Sequence, residues 1–264
     1  MSNEKHQGMG MRLKHAVTLG LLLGPVLVLG LSANARAETV SVAVAANFTD
    51  AAKALGAAFK AQSGDDVSFS FGATGALYTQ ISQSAPFEVF LSADSTTPKK
   101  AVAAGFGVAG TDFTYAVGKI VLFSTDPALV TGADTLKTGK FDKIAIADPK
   151  TAPYGAAAVA AMQKLGVYDA LTPKIVTGSS IAQAYQFVDT KNAELGFVAL
   201  SQVINRKDGS RWLVAQDDYK PITQDAVLLT PGKDSQGAKD FLTFLKSPAA
   251  VTVIKSFGYD VPQQ

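Results

Sequence analysis

Val67-Ser68-Phe69-Ser70-Phe71-Gly72-Ala73-Thr74-Gly75-Ala76-Leu77-Tyr78-Thr79-Gln80-Ile81 holds a complete strand-turn-helix unit. Val67 to Phe71 alternates apolar and polar, the period of a half-buried strand, and Leu77 and Ile81 fall at the spacing of one helix face. Gly72-Ala73-Thr74-Gly75 must therefore turn a strand directly into a helix. The first turn of a helix carries N–H groups with no internal partner. Together with the positive end of the helix dipole, those donors suit an anion. Thr74 adds a hydroxyl, and the two glycines let a ligand approach the backbone closely. Taken alone, the stretch reads as an ordinary turn capped by Thr74. A functional reading needs similar turns elsewhere.

Working outward, the same unit recurs. Thr39 to Ala45 alternates as a strand, Ala46-Asn47-Phe48-Thr49-Asp50 turns, and a helix carries Leu55, Ala58 and Phe59 before Gly64 stops it. Phe87 to Leu91 reads as a third strand, and Pro98 to Ala104 as a short helix. Strand and helix alternating through short turns predict a mainly parallel sheet with helices on both faces. Thr114 to Phe123 is a longer extended run with Gly118 in its middle, read as a crossing to a second lobe. There Ile144 to Ala147 is a strand and Asp148-Pro149 to Pro153-Tyr154-Gly155 a turn. Ala158, Ala161, Met162 and Leu165 form a helical stripe. Ile175-Val176 and Thr177-Gly178-Ser179-Ser180 lead into a second stripe, Ile181, Ala184, Tyr185 and Val188. Both stripes read as core faces. Leu195 to Leu200 is a buried strand, and Trp212 reads as packing. Pro221 to Leu229 is the return crossing, and two terminal helices are expected to pack on the first lobe, the second opened by Pro248.

Arg12 and Lys14 precede an apolar run, Ala16 to Leu31, broken by Gly24-Pro25 and followed by Ala35-Arg36-Ala37. A positive start, an apolar middle and a small-residue exit describe a secretory signal peptide over residues 1–37. The run is shorter than the ~20 apolar residues a membrane anchor needs. Cleavage after Ala37 would leave 227 of the 264 residues. The formal charge of +2 would become −1, because residues 1–37 hold four basic side chains and one acid. That balance points away from nucleic acid. Both histidines, His6 and His15, lie in this leader, and the chain has no cysteine. Imidazole and thiolate chemistry, thiol metal sites and disulfides are therefore excluded from the remainder.

Four turns share one design: Ala45-Ala46-Asn47-Phe48, Gly72-Ala73-Thr74-Gly75, Ala152-Pro153-Tyr154-Gly155 and Ser179-Ser180-Ile181-Ala182. Each follows an expected strand, opens an expected helix and lacks Lys and Arg. In an open parallel sheet such turns lie along one edge, where ligands bind. Two belong to each lobe, so facing lobes would bring four helix starts to one cleft, able to hold an anion by neutral donors.

Over nearly the whole mature length the chain resembles the periplasmic molybdate-binding proteins of ATP-driven importers. Carrying the resemblance are Val44-Ala45-Ala46-Asn47-Phe48, Gly75 to Ile81, Ala85-Pro86-Phe87-Glu88-Val89-Phe90-Leu91-Ser92-Ala93-Asp94, Ala152 to Gly155, Leu195 to Leu200 and Gly258-Tyr259. It implies an α/β two-lobed periplasmic-binding-protein fold of type II, with mainly parallel sheets flanked by helices and two hinge strands. Lobe 1 would hold residues 38–117 and 223–264, and lobe 2 residues 118–222. It implies capture of molybdate, and of tungstate, for an ABC permease in the membrane. It further implies a periplasmic monomer with no cofactor, no nucleic-acid partner and no metal ligated directly by side chains. The family's ligand positions fall on Asn47 (N–H and side-chain amide), Thr74 (N–H and hydroxyl), Tyr154 and Ile181 (N–H only). Some members have Ser at the place of Asn47, and some use a Tyr hydroxyl where this chain has Ala199.

An anion in a dry cleft needs every oxygen satisfied, and charge-assisted hydrogen bonds are roughly twice as strong as neutral ones. No carboxylate stands at the tips of the four turns, and Asp50 is expected to face away. Protonated phosphate would lack an acceptor there; molybdate and sulfate need none. Sulfate or another tetrahedral oxyanion is the alternative ligand. Two other classes stand beside these: a Ser-Lys hydrolase using Ser179 or Ser180, which lack a Ser-x-x-Lys motif, and an iron carrier of the same fold, which needs clustered Tyr and acidic ligands.

Overall fold

The computed structural model of the chain describes residues 37–262. The expected leader, apart from Ala37, lies outside them.

Two five-stranded sheets organise the chain. Into the first run β1 (Thr39–Ala45), α1 (Thr49–Ser63), β2 (Asp66–Gly72), α2 (Thr74–Ser82), β3 (Val89–Leu91), α3 (Thr96–Ala103) and β4 (Phe113–Gly118). The second holds β5 (Ile120–Ser124), α4 (Asp134–Thr138), β6 (Ile144–Ala147), α5 (Pro153–Lys164), α6 (Tyr168–Leu171), β7 (Ile175–Gly178), α7 (Ile181–Asp189), β8 (Leu195–Ala199), α8 (Leu200–Val203) and β9 (Ser210–Leu213). The chain returns to the first through β10 (Ile222–Leu228), α9 (Gln236–Leu245) and α10 (Pro248–Ser256).

Strand orders are β2-β1-β3-β10-β4 and β7-β6-β8-β5-β9. In each sheet the three strands that feed helices pair in parallel, while the crossing strands pair antiparallel. The sheets are thus mixed, half as parallel as the βα alternation alone suggests. The reason is that β4 and β10 run in opposite directions between lobes, with Gly118 opposite Ile222. The long extended run read from sequence is two strands in two sheets, with Lys119 alone between them.

Period-2 alternation in β1 builds both cores of the first lobe. Val40, Val42 and Val44 face Leu55, Phe59, Phe241 and Ile254. Ala43 faces Leu77, Ile81 and Phe90 on the other side. Burial of a side chain such as Phe241 stabilises by about 2–3 kcal/mol. Ser235 and Ser247 cap α9 and α10 through their hydroxyls, each worth about 1 kcal/mol. In the second lobe Ala158, Ala161, Met162, Ala184 and Val188 pack over Ile144, Ile146 and Phe197. Trp212 is partly buried against this core. β2 is an edge strand and leaves Phe71 exposed. Among the described residues no helix is long and apolar enough to cross a membrane.

Candidate functional site

The four turns converge. Asn47 sits in a short 3-10 turn, Ala46–Phe48, between β1 and α1. Thr74 is the first residue of α2, Tyr154 the second of α5, and Ile181 the first of α7. All four are buried. They line one small cavity between the lobes, together with Ala45, Ala46, Gly72, Ala73, Ala93, Ala152 and Pro153. The space open to oxygen-sized centres is about 10 Å³. That is room for about one water-sized centre, so the space holds no extended molecule. A larger open groove of about 540 Å³ runs alongside and shares Ala93, Ala152 and Pro153. Lys150 and Lys220 are on its wall; the small cavity's lining has no charged residue. Asp50 is exposed in the first turn of α1.

Local sequence explains why main-chain donors are left without partners here. Pro153 opens α5 without an N–H, so Tyr154 supplies its first donor. Ser180 caps α7 by accepting from Gln183 N–H at 3.3 Å, which leaves the Ile181 N–H unused. Gln202 fixes Ile181 from behind, its Nε2 donating to the Ile181 carbonyl at 3.2 Å. Among the described residues, none of the N–H groups of Asn47, Thr74, Tyr154 and Ile181 has a protein acceptor. A buried N–H left without a partner costs about 1–3 kcal/mol, and such groups are rare in native folds. Four such groups belong to residues that line one cavity.

Thr74 differs from the cap that the sequence suggests. Ala73 is the N-cap residue, and Thr74 Oγ1 accepts from the Ala93 N–H at 3.0 Å. With that lone pair engaged, the hydroxyl proton is available to the cavity.

Asn47 also departs from expectation. Its side-chain amide, expected to serve a ligand, is committed elsewhere. Nδ2 donates to Gln224 Oε1 at 2.8 Å and Tyr259 Oη at 3.0 Å, and lies 3.4 Å from Tyr154 Oη. The two amide hydrogens are already used, so Asn47 offers the cavity its main-chain N–H. The Asn47 carbonyl accepts from Tyr259 Oη at 2.7 Å and Ser201 Oγ at 2.8 Å. Tyr115 Oη donates to the Ser92 carbonyl at 3.0 Å and is 3.2 Å from Gln224 Oε1. Burial pushes the phenols of Tyr115, Tyr154 and Tyr259 well above their ordinary range, so all three stay neutral.

This polar cluster was not read from sequence. Its one local sign was Gln224, within the polar run Thr223-Gln224-Asp225 of a crossing strand. Gly118 had a hidden reason too: a Cβ there would overlap the Tyr154 hydroxyl. Ala199 is buried at the end of β8 and does not line the cavity. Ser180 serves as a helix cap, and among the described residues no group of three or more His, Cys, Asp or Glu is placed to hold a metal ion.

Residues 40–260 match the family described as bacterial extracellular solute-binding protein. The chain is 57% identical over 233 residues to the molybdate-binding protein ModA of Rhodobacter capsulatus, covering 88% of this chain and 92% of that one. To the molybdate-binding protein ModA of Azotobacter vinelandii it is 54% identical over 235 residues, covering 87% and 92%. A solved structure, the periplasmic molybdate-binding protein of Azotobacter vinelandii, superposes with a TM-score of 0.83 at 39% identity, covering 85% of this chain and all of that one. The chain belongs to the bacterial extracellular solute-binding protein family.

Proposed function

We propose that the protein captures molybdate, and tungstate with it, in the cavity between its lobes and delivers it to an ABC permease in the membrane. The observation that carries this reading is the set of four buried residues, from both lobes, whose main-chain N–H groups have no protein acceptor and which line one small cavity. The ligand set is Asn47, Thr74, Tyr154 and Ile181 through N–H, with the Thr74 hydroxyl in addition. The relatives named for molybdate binding share more than half of their aligned residues with this chain, which favours molybdate over sulfate. Residues 38–117 and 223–264 would move as one lobe and 118–222 as the other, hinging near Gly118 and Pro221. A leader over residues 1–37 would deliver the protein to the periplasm, where it acts as a monomer and performs no catalysis.

In operation, the open lobes admit the hydrated anion. Closure replaces its water with fixed N–H and O–H donors at four helix starts, where dipoles favour negative charge. No cation is needed, and release requires only reopening. A calorimetric titration with molybdate, tungstate, sulfate and phosphate tests this. Tight 1:1 binding of the two metal oxyanions, with weak or no binding of the others, is expected. Preference for sulfate or phosphate overturns the assignment.

A further inference from the structure

We propose that Gln224 is a positioning residue that sets the spacing between the two halves of the ligand cavity. The inference rests on the reading of that cavity as the oxyanion site. Gln224 lies on β10, a crossing strand, and is fully buried. The register of β10 against β4 shifts immediately after it, between Gln224 and Asp225. One end of its carboxamide, Oε1, accepts from Asn47 Nδ2 at 2.8 Å. The other, Nε2, lies 3.4 Å from the Tyr154 hydroxyl. Asn47 and Tyr154 present N–H groups to the cavity from opposite lobes, so one amide on the hinge spans both halves. The Tyr154 hydroxyl reaches it only because Gly118, on the other crossing strand, has no side chain: a Cβ there would overlap that oxygen and stand 2.7 Å from Gln224 Nε2.

This places the coupling in the closed form. Opening carries Tyr154 away with the second lobe, breaks its contacts with Asn47 and Gln224, and hands those donors to water. Closing restores them at one spacing, and that spacing holds four N–H groups at bonding distance from one anion. Preorganised donors raise affinity chiefly by slowing escape. Gln224 and the Tyr154 hydroxyl therefore govern dissociation without touching the ligand.

The test uses Tyr154→Phe, which removes a single oxygen and keeps the main-chain N–H, and Gln224→Met, which keeps the shape and loses both polar ends. Molybdate association and dissociation are measured by stopped flow. Lobe separation without ligand is followed by fluorescence transfer between dyes on Gln62→Cys and Asp169→Cys, exposed sites in a chain with no cysteine. Each variant is expected to raise the dissociation rate about ten-fold while the association rate changes by less than about three-fold, the split expected when held geometry is lost. The ligand-free lobes should shift towards separation. The double variant should be little worse than Gln224→Met alone, since both act through one contact. Dissociation rates within about two-fold of the parent in Tyr154→Phe overturn the proposal even if Gln224→Met fails to fold. A parent protein that does not bind molybdate overturns the cavity assignment itself, a different result from a parent that binds and variants that match it.

Discussion

The Gly75 N–H donates to the Thr151 carbonyl at 2.9 Å, and the two residues stand on different lobes. A Cβ at Gly75 would come within 3.2 Å of the Thr151 backbone. Gly75→Ala therefore sets two effects against each other. In the separate lobe, alanine favours the helix by up to about 1 kcal/mol. In the closed form its methyl pushes on the opposite backbone, at about 1–2 kcal/mol. The ligand-free melting temperature should hold or rise while molybdate affinity falls about ten-fold. Equal affinity in calorimetry would mean that the lobes never approach this closely around the ligand.

Thr74 links the cavity to the strand behind it. Its Oγ1 accepts from Ala93 N–H, and under the proposed function its proton serves the anion. Thr74→Ala should weaken molybdate binding by about 1–3 kcal/mol, through an oxygen left short of a donor and an amide left short of an acceptor. Thr74→Ser keeps both bonds and should recover most of the loss. Thr74→Val keeps the shape and should behave like alanine. If valine binds as tightly as threonine, the hydroxyl plays no part.

How much of this was legible in the sequence follows the range of the interactions. Helical stripes such as Ala158, Ala161 and Met162, all buried, are set by neighbours within two turns and were plain to read. The four turns at Asn47, Thr74, Tyr154 and Ile181 were legible because a strand ending in a helix start is a local pattern. Their meeting at one cavity was inferred from sheet edges and is what the fold brings about. Asn47 lines the cavity, but its side-chain amide has protein partners that the sequence did not suggest. Its amide partners, Gln224 and Tyr259, are 177 and 212 residues away, and no local pattern announces them. Gly118 was visible as a break in an extended run, but its cause is a hydroxyl from the other lobe.

The uncharged lining makes a prediction about pH. Tyr154 is the only titratable side chain at the cavity, and burial holds its phenol well above the ordinary tyrosine range. No side chain lining the cavity changes protonation between about pH 6.5 and 9. Molybdate affinity should be flat across that window. It should also depend weakly on salt, because buried dipoles are screened far less than exposed charges. Phosphate, which keeps at least one proton throughout the window, should give no thermal shift, while molybdate raises the melting temperature in proportion to the logarithm of its concentration. A marked loss of molybdate affinity across this range would place an ionising group in the site.

Alkaline pH should act on stability instead. Tyr115, Tyr154 and Tyr259 all have phenols raised by burial, foremost by loss of solvent. Unfolded tyrosines titrate near pH 10, so above that pH the unfolded chain releases protons that the folded chain retains. Stability contributed by the neutral phenols is fully present below about pH 10 and is lost as pH climbs further. Tyrosinate absorbance should therefore rise in two phases, with these three rings ionising only as far-ultraviolet dichroism reports unfolding. Tyr259→Phe should move the unfolding midpoint to higher pH for that group's share, while leaving Asn47 Nδ2 and the Asn47 carbonyl each one partner short. Its stability at neutral pH should fall by about 1–3 kcal/mol. If all seven tyrosines ionise together before the fold is lost, the cluster is open to solvent, and the closed arrangement around the cavity fails with it.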